Sequence, residues 1–147
     1  MSSAFGTTTA PEWTCPCSSA AGYDACCGPL HRGEREAATA LELMRSRYSA
    51  YTLRFVDHLF RTWHPRTRPA DLTLDTALTW TALDVVAVSG GAAGDEAGTV
   101  EFRARYRTAS GVGELHEVSR FERRAGRWVY VDGDVLEQCP RWDSNPH

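Results

Sequence analysis

The sequence contains no lysine, and all 16 of its basic residues are arginines. A lysine is required for Schiff-base catalysis, for attachment of pyridoxal phosphate and for the phosphate-binding loop of P-loop nucleotide hydrolases. These three kinds of site are therefore excluded. The formal net charge of −3 also makes the chain a poor bulk binder of nucleic acid.

Targeting features are missing as well. The first residues, MSSAFGTTTAPEWT, have no basic start followed by an apolar stretch, and no run approaches the roughly 18 apolar residues that a membrane span needs. The C-terminal SNPH offers no prenylation cysteine. We therefore expect a cytoplasmic protein that is neither exported nor bound to a membrane.

The composition is that of a folded protein. The chain has 147 residues, of which 42% are hydrophobic and 24% charged, which fits one domain of ordinary size with a small appendage. We predict a flexible N-terminus over residues 1–12, a cysteine-rich knuckle over 13–32, an α+β domain over 33–138 and a C-terminal tail over 139–147.

Four of the five cysteines lie in one short run, CPCSSAAGYDACCG, at Cys15, Cys17, Cys26 and Cys27. Their spacing lets the sulfurs converge on one ion, and thiolates suit Zn²⁺, which takes about four such ligands in a tetrahedron. Disulfides are the alternative, but the count is odd, no export signal is present and a bridge between adjacent cysteines would be strained. We therefore predict a zinc site formed by these four cysteines.

Two other side chains bear on this site. His31 is the alternative to Cys27 as the fourth ligand, and Cys139 stands alone near the C-terminus and is interpreted as a leftover thiol. A closed set of four thiolates leaves no position for substrate or water. The zinc is therefore expected to be structural rather than catalytic.

The cysteine run resembles the SEC-C motif, the small zinc element at the tail of the SecA translocation ATPase. A protein partner at the knuckle is one expectation. Glycine is usual in that motif at the positions of Ser18 and Ala20, and basic residues commonly follow where this chain has Ala21 and Gly22. These departures spare the ligands, but a partner role that depends on a basic knuckle loses support.

Two helical patterns follow the knuckle. Residues 33–36, GERE, are typical of a helix entry, since acidic residues in the first turn favour the helix dipole. Apolar residues at three- and four-residue steps occupy 37–51, and a second set, out of phase with the first, occupies 55–63. We predict two helices with a break at 49–52, the second of them ended by Pro65.

From residue 80 the chain becomes rich in β-branched and aromatic residues. We predict four strands, at 80–88, 99–107, 115–123 and 127–131. The turns between them are short enough for an antiparallel meander. Helices followed by such a run of strands indicate an α+β domain whose helices pack on one face of the sheet.

The middle of the chain also resembles one family, the uncharacterised YchJ proteins. The resemblance is carried by RSRYSAYTLRFVDHLFRTWHP, LHEVSRF and RWVYVDGD after a CxC…CCGPLH start, and it covers residues 13–137. It implies a fold similar to nuclear-transport-factor-2-like domains, in which a curved sheet wraps on helices to form a cone with a pocket. It implies no established activity. Longer members repeat the cysteine motif near the C-terminus, where this chain has only Cys139.

Strand alternation identifies a candidate pocket lining, because every second side chain points to the same face. In TVEFRARYR, Phe102 and Tyr106 belong to the apolar side, and the arginines belong to the other side. In the third predicted strand, the alternate residues Glu117, Ser119 and Phe121 share one face, and in the fourth Trp128, Tyr130 and Asp132 do. We consider an arrangement in which both sets face inward with Phe102 and Tyr106. The pocket candidates are Phe102, Tyr106, Glu117, Phe121, Trp128, Tyr130, Asp132 and, from the helices, His64.

Two functional alternatives follow from these residues. In a half-apolar pocket a carboxylate pKa rises toward that of a general base, so Glu117, Asp132 and His64 could act in acid/base catalysis. In the plainer interpretation, Glu117 pairs with Arg120 or a cross-strand arginine, and no nucleophile elbow or histidine-rich metal pattern favours an enzyme.

The second alternative is RNA or ribosome binding. The arginines that would form the binding surface are Arg103, Arg105, Arg107, Arg120, Arg123, Arg124 and Arg127.

Four glutamates, Glu101, Glu114, Glu117 and Glu122, interrupt these arginines. Cross-strand ion pairs then account for much of the arginine content, and nucleic-acid binding is disfavoured. The function that we predict is a non-catalytic interaction or small-ligand-binding module, with structural zinc in the knuckle and a small molecule in the cone.

Overall fold

The computed structural model describes residues 13–140, and the predicted flexible segment 1–12 lies outside them. A cysteine-bearing loop with a 3₁₀ turn at Tyr23–Ala25 opens the described part. Three helices follow: α1 (Gly28–His31), α2 (Ala40–Leu53) and α3 (Val56–Arg61). None of the helices within residues 13–140 has both the length and the apolar character needed to cross a membrane.

Four strands complete the fold. They are β1 (Thr79–Gly90), β2 (Ala97–Thr108), β3 (Gly111–Arg124) and β4 (Arg127–Pro140). Each pairs antiparallel with the next, in the order β1-β2-β3-β4. The predicted α+β class and the meander are confirmed. Strand β4 continues nine residues past the expected end, so the first two residues of the predicted tail belong to the sheet, and the rest of that tail is outside the described residues.

Helix α2 begins at Ala40, and the predicted entry at 33–36 is wrong. Thr39 is the N-cap: its side chain accepts a hydrogen bond from the Glu42 backbone N–H at 3.0 Å. The Glu42 carboxylate accepts one from the backbone N–H of Ala38 at 2.7 Å, much as in a capping box. The capping threonine, rather than the acidic residues before it, therefore sets the start of the helix.

Helix α2 also ends later than the predicted break at 49–52. It runs to Leu53, and the chain reverses at Arg54, whose φ of 65° is left-handed and whose N–H bonds to the Ala50 carbonyl. Helix α3 ends at Arg61 instead of at Pro65. The two out-of-phase apolar patterns do correspond to two helices.

The hydrophobic core lies between α2 and one face of the sheet, where α2 packs against β1, β2 and β4. Leu43 and Met44 of α2 meet Leu83, Val100 and Phe121 of the strands there. The cysteine loop belongs to the same core, because three of its four thiols are buried within it. The knuckle is therefore packed into the domain rather than attached to it by a linker.

Two β-bulges interrupt the pairing of β3 with β4, one between Arg120 and Phe121 and one between His116 and Glu117. At the first, Phe121 pairs with Tyr130 and Arg120 with Asp132, so Val131 is the extra residue. A bulge of this kind reverses the inward and outward alternation along the strand. Tyr130 and Asp132 consequently point to opposite faces of the sheet.

Candidate functional site

The four predicted ligands come together. The sulfur atoms of Cys15, Cys17, Cys26 and Cys27 all lie within 4.8 Å of one another. The Cys17 and Cys26 sulfurs are 3.5 Å apart and those of Cys26 and Cys27 are 3.9 Å apart, whereas a disulfide requires about 2.05 Å. Sulfurs at the corners of a tetrahedron with metal–sulfur bonds of about 2.3 Å are separated by about 3.8 Å. The donor set and its spacing fit a four-coordinate thiolate metal site.

Helix α2 supports this cluster from one side. The Ser49 hydroxyl lies 3.5 Å from the Cys15 sulfur and donates to the Cys27 sulfur at 3.4 Å. One turn earlier, Arg45 donates from Nη1 to the Cys17 carbonyl at 2.7 Å. Hydrogen bonds to thiolates and to the ligand backbone hold metal ligands in place.

The loop between the second and third cysteines has a strained backbone. Ser18 and Ala20 have φ values of 68° and 71°, in the left-handed region that favours glycine. The Ser18 hydroxyl also accepts a hydrogen bond from the Leu83 backbone N–H at 3.2 Å, which ties the loop to strand β1. These are the two positions at which the resemblance to the SEC-C motif predicts glycine.

His31, the alternative fourth ligand, is engaged elsewhere. Its Nε2 donates to the Ser46 carbonyl at 2.8 Å, which leaves Nδ1 to accept from the Tyr23 hydroxyl at 2.6 Å. Burial lowers the pKa of its imidazole. With both ring nitrogens bonded, His31 connects the knuckle to α2, and the four sulfurs that come together are those of the cysteines, Cys27 included.

The thiols need a cation to ionise together. Burial, together with the neighbouring Cys17, raises the pKa of Cys26 to about 11. Hydrogen bonding from Cys15 instead lowers the pKa of Cys17, so that one thiolate in the cluster is favoured over several. A bound divalent ion removes this penalty, because a ligating cysteine is deprotonated.

A cavity of about 250 Å³ lies on the other side of α2, between that helix and the sheet. Half of its lining residues are aromatic, and one arginine and one glutamate are among the others. The lining residues are Met44, Arg47, Tyr48, Tyr51, Trp80, Phe102, Ala104, Leu115, Glu117, Ser119, Phe121 and Tyr130. The cavity therefore combines apolar walls with a few polar groups, as small-molecule sites do.

Four of the eight predicted pocket residues line this cavity: Phe102, Glu117, Phe121 and Tyr130. Tyr106 and Trp128 are buried in the core instead. The Tyr106 ring packs edge-on against Trp80 at 5.6 Å, and the Trp128 indole donates to the Ala38 carbonyl at 3.2 Å.

The proposed acid/base set does not converge. The bulge turns Asp132 to the outer face, where it accepts a hydrogen bond from Arg120 at 2.6 Å. His64 accepts from the Arg66 backbone N–H at 3.0 Å and lies 4.0 Å from Glu122. Glu117 is the member of the set that lines the cavity. The interpretation that paired Glu117 with Arg120 is wrong for the same reason, because Arg120 binds Asp132 and Asp134.

Comparison with known protein families identifies the domain that contains the cavity. A family model described as "YchJ, middle NTF2-like domain" matches residues 39–133, which is well over half of the chain. The chain belongs to the YchJ family. The predicted resemblance and the nuclear-transport-factor-2-like fold are confirmed.

Relatives in the YchJ family match along most of their length. A UPF0225 protein of Streptomyces avermitilis is 51% identical over 124 residues, covering 84% of this chain and 86% of that protein. A UPF0225 protein of Streptomyces coelicolor is 50% identical over 127 residues, covering 86% of this chain and 99% of that protein.

Two solved structures are also similar. The solution structure of a SEC-C motif containing protein from Rhodopseudomonas palustris has a TM-score of 0.74 at 35% identity, covering 85% of this chain and all of that one. The crystal structure of a SEC-C motif containing protein from Psychrobacter arcticus has a TM-score of 0.67 at 30% identity, covering 84% of this chain and 83% of that one. Both solved proteins are thus described as containing a SEC-C motif, and both share the fold of this chain.

The outer face of the YchJ-type sheet carries several ion pairs between neighbouring strands. The Glu114 carboxylate lies 3.6 Å from the Arg103 guanidinium and 3.8 Å from that of Arg105. The Arg105 guanidinium also lies 3.7 Å from the Asp84 carboxylate. Arg123 instead donates to the Asp95 carbonyl at 2.7 Å. Several members of the predicted basic patch are therefore paired, as the interleaved glutamates suggested, and RNA binding by this face stays a prediction.

Sequence reasoning missed the helix side of the cavity. The pocket candidates taken from the sequence include none of Arg47, Tyr48 and Tyr51, all of which line the cavity. The signal was present: Met44, Arg47, Tyr48 and Tyr51 occupy positions i, i+3, i+4 and i+7, which puts them on one face of a helix. The pattern of hydrophobicity hid this face because it contains an arginine.

Proposed function

We propose that this protein is a small-ligand-binding domain whose N-terminal knuckle carries a structural Zn²⁺ ion. The observation that carries the proposal is the position of α2 between the two sites. Arg45 and Ser49 of this helix contact the cysteine loop, while Arg47, Tyr48 and Tyr51 line the cavity. Metal binding in the knuckle therefore supports one wall of the cavity.

Zinc is the metal that best suits the cluster. It prefers a tetrahedron of four cysteine sulfurs in structural sites, and such a closed site has no position left for a reacting water. The ion would therefore contribute folding free energy rather than chemistry. Four reduced, closely spaced thiols are stable in a reducing compartment, which supports a cytoplasmic location.

Metal content tests the first half of the proposal. The purified protein is expected to contain one zinc ion per chain by mass spectrometry, and chelation is expected to lower its melting temperature. Cys27→Ser should lose the ion, whereas Cys139→Ser, which removes the fifth cysteine, should keep it. Protein that contains oxidised cysteines and no zinc would show that the cluster is not a zinc site.

Occupancy of the cavity tests the second half. A mixture of one- and two-ring fragments is expected to shift the backbone amide resonances of Phe102, Ser119 and Phe121 in nuclear magnetic resonance spectra. Ala104→Phe places a ring in the cavity and should abolish these shifts, whereas Ala109→Phe, in an exposed turn, should not. Shifts that persist in Ala104→Phe would place the binding site elsewhere.

A further inference from the structure

Arg47 brings a buried positive charge to the cavity wall. The residue is 5% exposed, and burial lowers the pKa of its guanidinium. Its Nη1 donates to the Leu59 carbonyl at 2.9 Å and to the Thr62 hydroxyl at 2.7 Å. The guanidinium carbon also lies over the Tyr130 ring, 4.6 Å from its centroid. Arg47 is thus fixed in position by neutral groups.

Glu117 brings a negative charge to the same cavity from strand β3. Burial raises the pKa of its carboxyl group, whereas the hydrogen bond from Ser119 and the positive charge of Arg47 partly offset this rise and favour the carboxylate. Its Oε2 accepts a hydrogen bond from the Ser119 hydroxyl at 2.9 Å. The carboxylate also lies against Gly133, where an added Cβ would overlap it. The carboxylate can occupy this position because residue 133 has no side chain.

These two charges face one cavity without forming an ion pair. Among the side chains that the structure describes, no partner of opposite charge lies within 4.0 Å of either Arg47 or Glu117. A buried charge is costly unless it is hydrogen bonded or paired. The space between them is where a ligand would satisfy both groups at once.

Charge balance selects the class of that ligand. With Arg47 positive and Glu117 negative, the cavity is neutral as a whole. An anionic ligand would add a second negative charge beside Glu117, and a cationic ligand would add a second positive charge beside Arg47, each at a desolvation cost. A neutral molecule with both an acceptor and a donor adds no net charge. Two of the five N–H groups of the guanidinium bind Leu59 and Thr62, and Tyr51 is a further hydrogen-bond partner. Two donors therefore remain for a ligand carbonyl.

The aromatic walls of the cavity favour a planar ligand. Rings from both layers of the fold line the cavity, namely Tyr48, Tyr51, Trp80, Phe102, Phe121 and Tyr130. Aromatic side chains favour stacked or edge-on contacts with another ring. A volume of about 250 Å³ exceeds the roughly 150 Å³ of an engineered apolar cavity that binds benzene. One substituted ring or two fused rings therefore fit.

We propose that the cavity binds a neutral, planar one- or two-ring lactam, whose carbonyl accepts a hydrogen bond from Arg47 and whose ring N–H donates to Glu117. This inference rests on the proposed function of the cavity as a ligand site and adds the chemistry of the ligand. Apolar contact supplies most of the affinity, and the two buried polar groups supply the selectivity, since an analogue that leaves them unpaired is rejected.

Four two-ring probes of nearly equal size test the proposal with the zinc-loaded protein: 2-quinolone as the lactam, naphthalene, 2-naphthoate as the anion and 2-naphthylmethylammonium as the cation. Affinities are measured by titration of backbone amide resonances. The lactam is expected to bind at least tenfold more tightly than the other three. Tighter binding of the anion or the cation overturns the ligand class and leaves the cavity as a ligand site. If none of the four binds, the proposed function itself fails.

Variants then test the role of Glu117. Glu117→Gln should weaken 2-quinolone binding about tenfold, because a charge-assisted hydrogen bond becomes a neutral one, and should leave naphthalene binding unchanged. Glu114→Gln on the outer face of the same strand is the matched control and should change neither affinity. Ser119→Ala, a small change that frees the carboxylate, should weaken the lactam about threefold. Equal effects of Glu117→Gln on the lactam and on naphthalene would refute a polar contact.

Discussion

The Nε2 atom of His58 lies 2.9 Å from the hydroxyl oxygen of Ser46 in the interior of the helical layer. That hydroxyl donates its proton to the Leu43 carbonyl at 2.7 Å, so it accepts from His58. Burial, followed by the nearby charges of His31 and Arg61, lowers the pKa of His58 to about 3. The buried imidazole is therefore neutral, with its proton on Nε2.

This histidine makes the folded state sensitive to acid. Above a pH of about 6.5, His58 is neutral in both the folded and the unfolded chain. As the pH falls from there toward 3, the unfolded chain takes up a proton that the folded chain does not, and this group alone removes about 1.4 kcal/mol of stability per pH unit. Urea unfolding of zinc-saturated protein at pH 7.0 and 5.5 measures this loss. His58→Gln should show a smaller loss than the native protein, and an equal loss would contradict the assignment.

Relief of the strained knuckle should stabilise the protein. Ala20 has a φ of 71°, so Ala20→Gly removes a left-handed penalty that exceeds the entropy glycine adds to the unfolded chain. We expect a gain of about 0.5–1 kcal/mol in the free energy of unfolding, measured by denaturant titration of the metal-loaded protein. Ala21→Gly, at an adjacent residue without positive φ, should instead lose about as much. The same loss in both variants would show that the backbone at position 20 is not strained.

The support that α2 gives the cluster should appear in metal affinity. Ser49→Ala removes the hydroxyl that donates to the Cys27 sulfur at 3.4 Å. Loss of a partner of this kind lowers metal affinity by about tenfold. Competition with a chromophoric chelator measures the change, and Ser110→Ala in an exposed turn is the control. If Ser49→Ala binds metal like the native protein, the hydroxyl does not support the site.

The close approach of Glu117 to Gly133 predicts a cost for any side chain there. Gly133→Ala would overlap the carboxylate and the Val118 carbonyl behind it, and we expect a loss of about 1 kcal/mol in stability because the carboxylate must shift. Gly94→Ala, where an added Cβ meets nothing within 4 Å, should change stability little. Thermal unfolding compares the two variants, and equal melting temperatures would place the Glu117 carboxylate elsewhere.

The cysteine cluster could be predicted because its information is local. The four clustered cysteines lie within 13 residues of one another, from Cys15 to Cys27. The affinity of their thiolates for metals such as zinc is a property of the residue type and does not depend on the fold. The sheet order was predictable for a similar reason, since short turns between successive strands leave few arrangements other than a meander.

Side-chain direction in the last strand was not predictable. Alternation holds only while the register is regular, and the extra residue at Val131 turns Asp132 outward although Tyr130 points inward. Nothing local to WVYVD marks that bulge. The start of α2 was misjudged because the acidic residues of 33–36 resemble a first turn, whereas the hydrogen bond that begins the helix belongs to Thr39.

The contact between Ser18 and Leu83 joins residues 65 positions apart, while each strand of the meander pairs with its sequence neighbour. Local pairings form early in folding, and contacts of large sequence separation form late. The chain is made from its N-terminus, so the cysteine run leaves the ribosome well before strand β1 has been synthesised. We therefore expect the four cysteines to leave the ribosome, where metal ions can reach them, before strand β1, to which their loop is tied, exists.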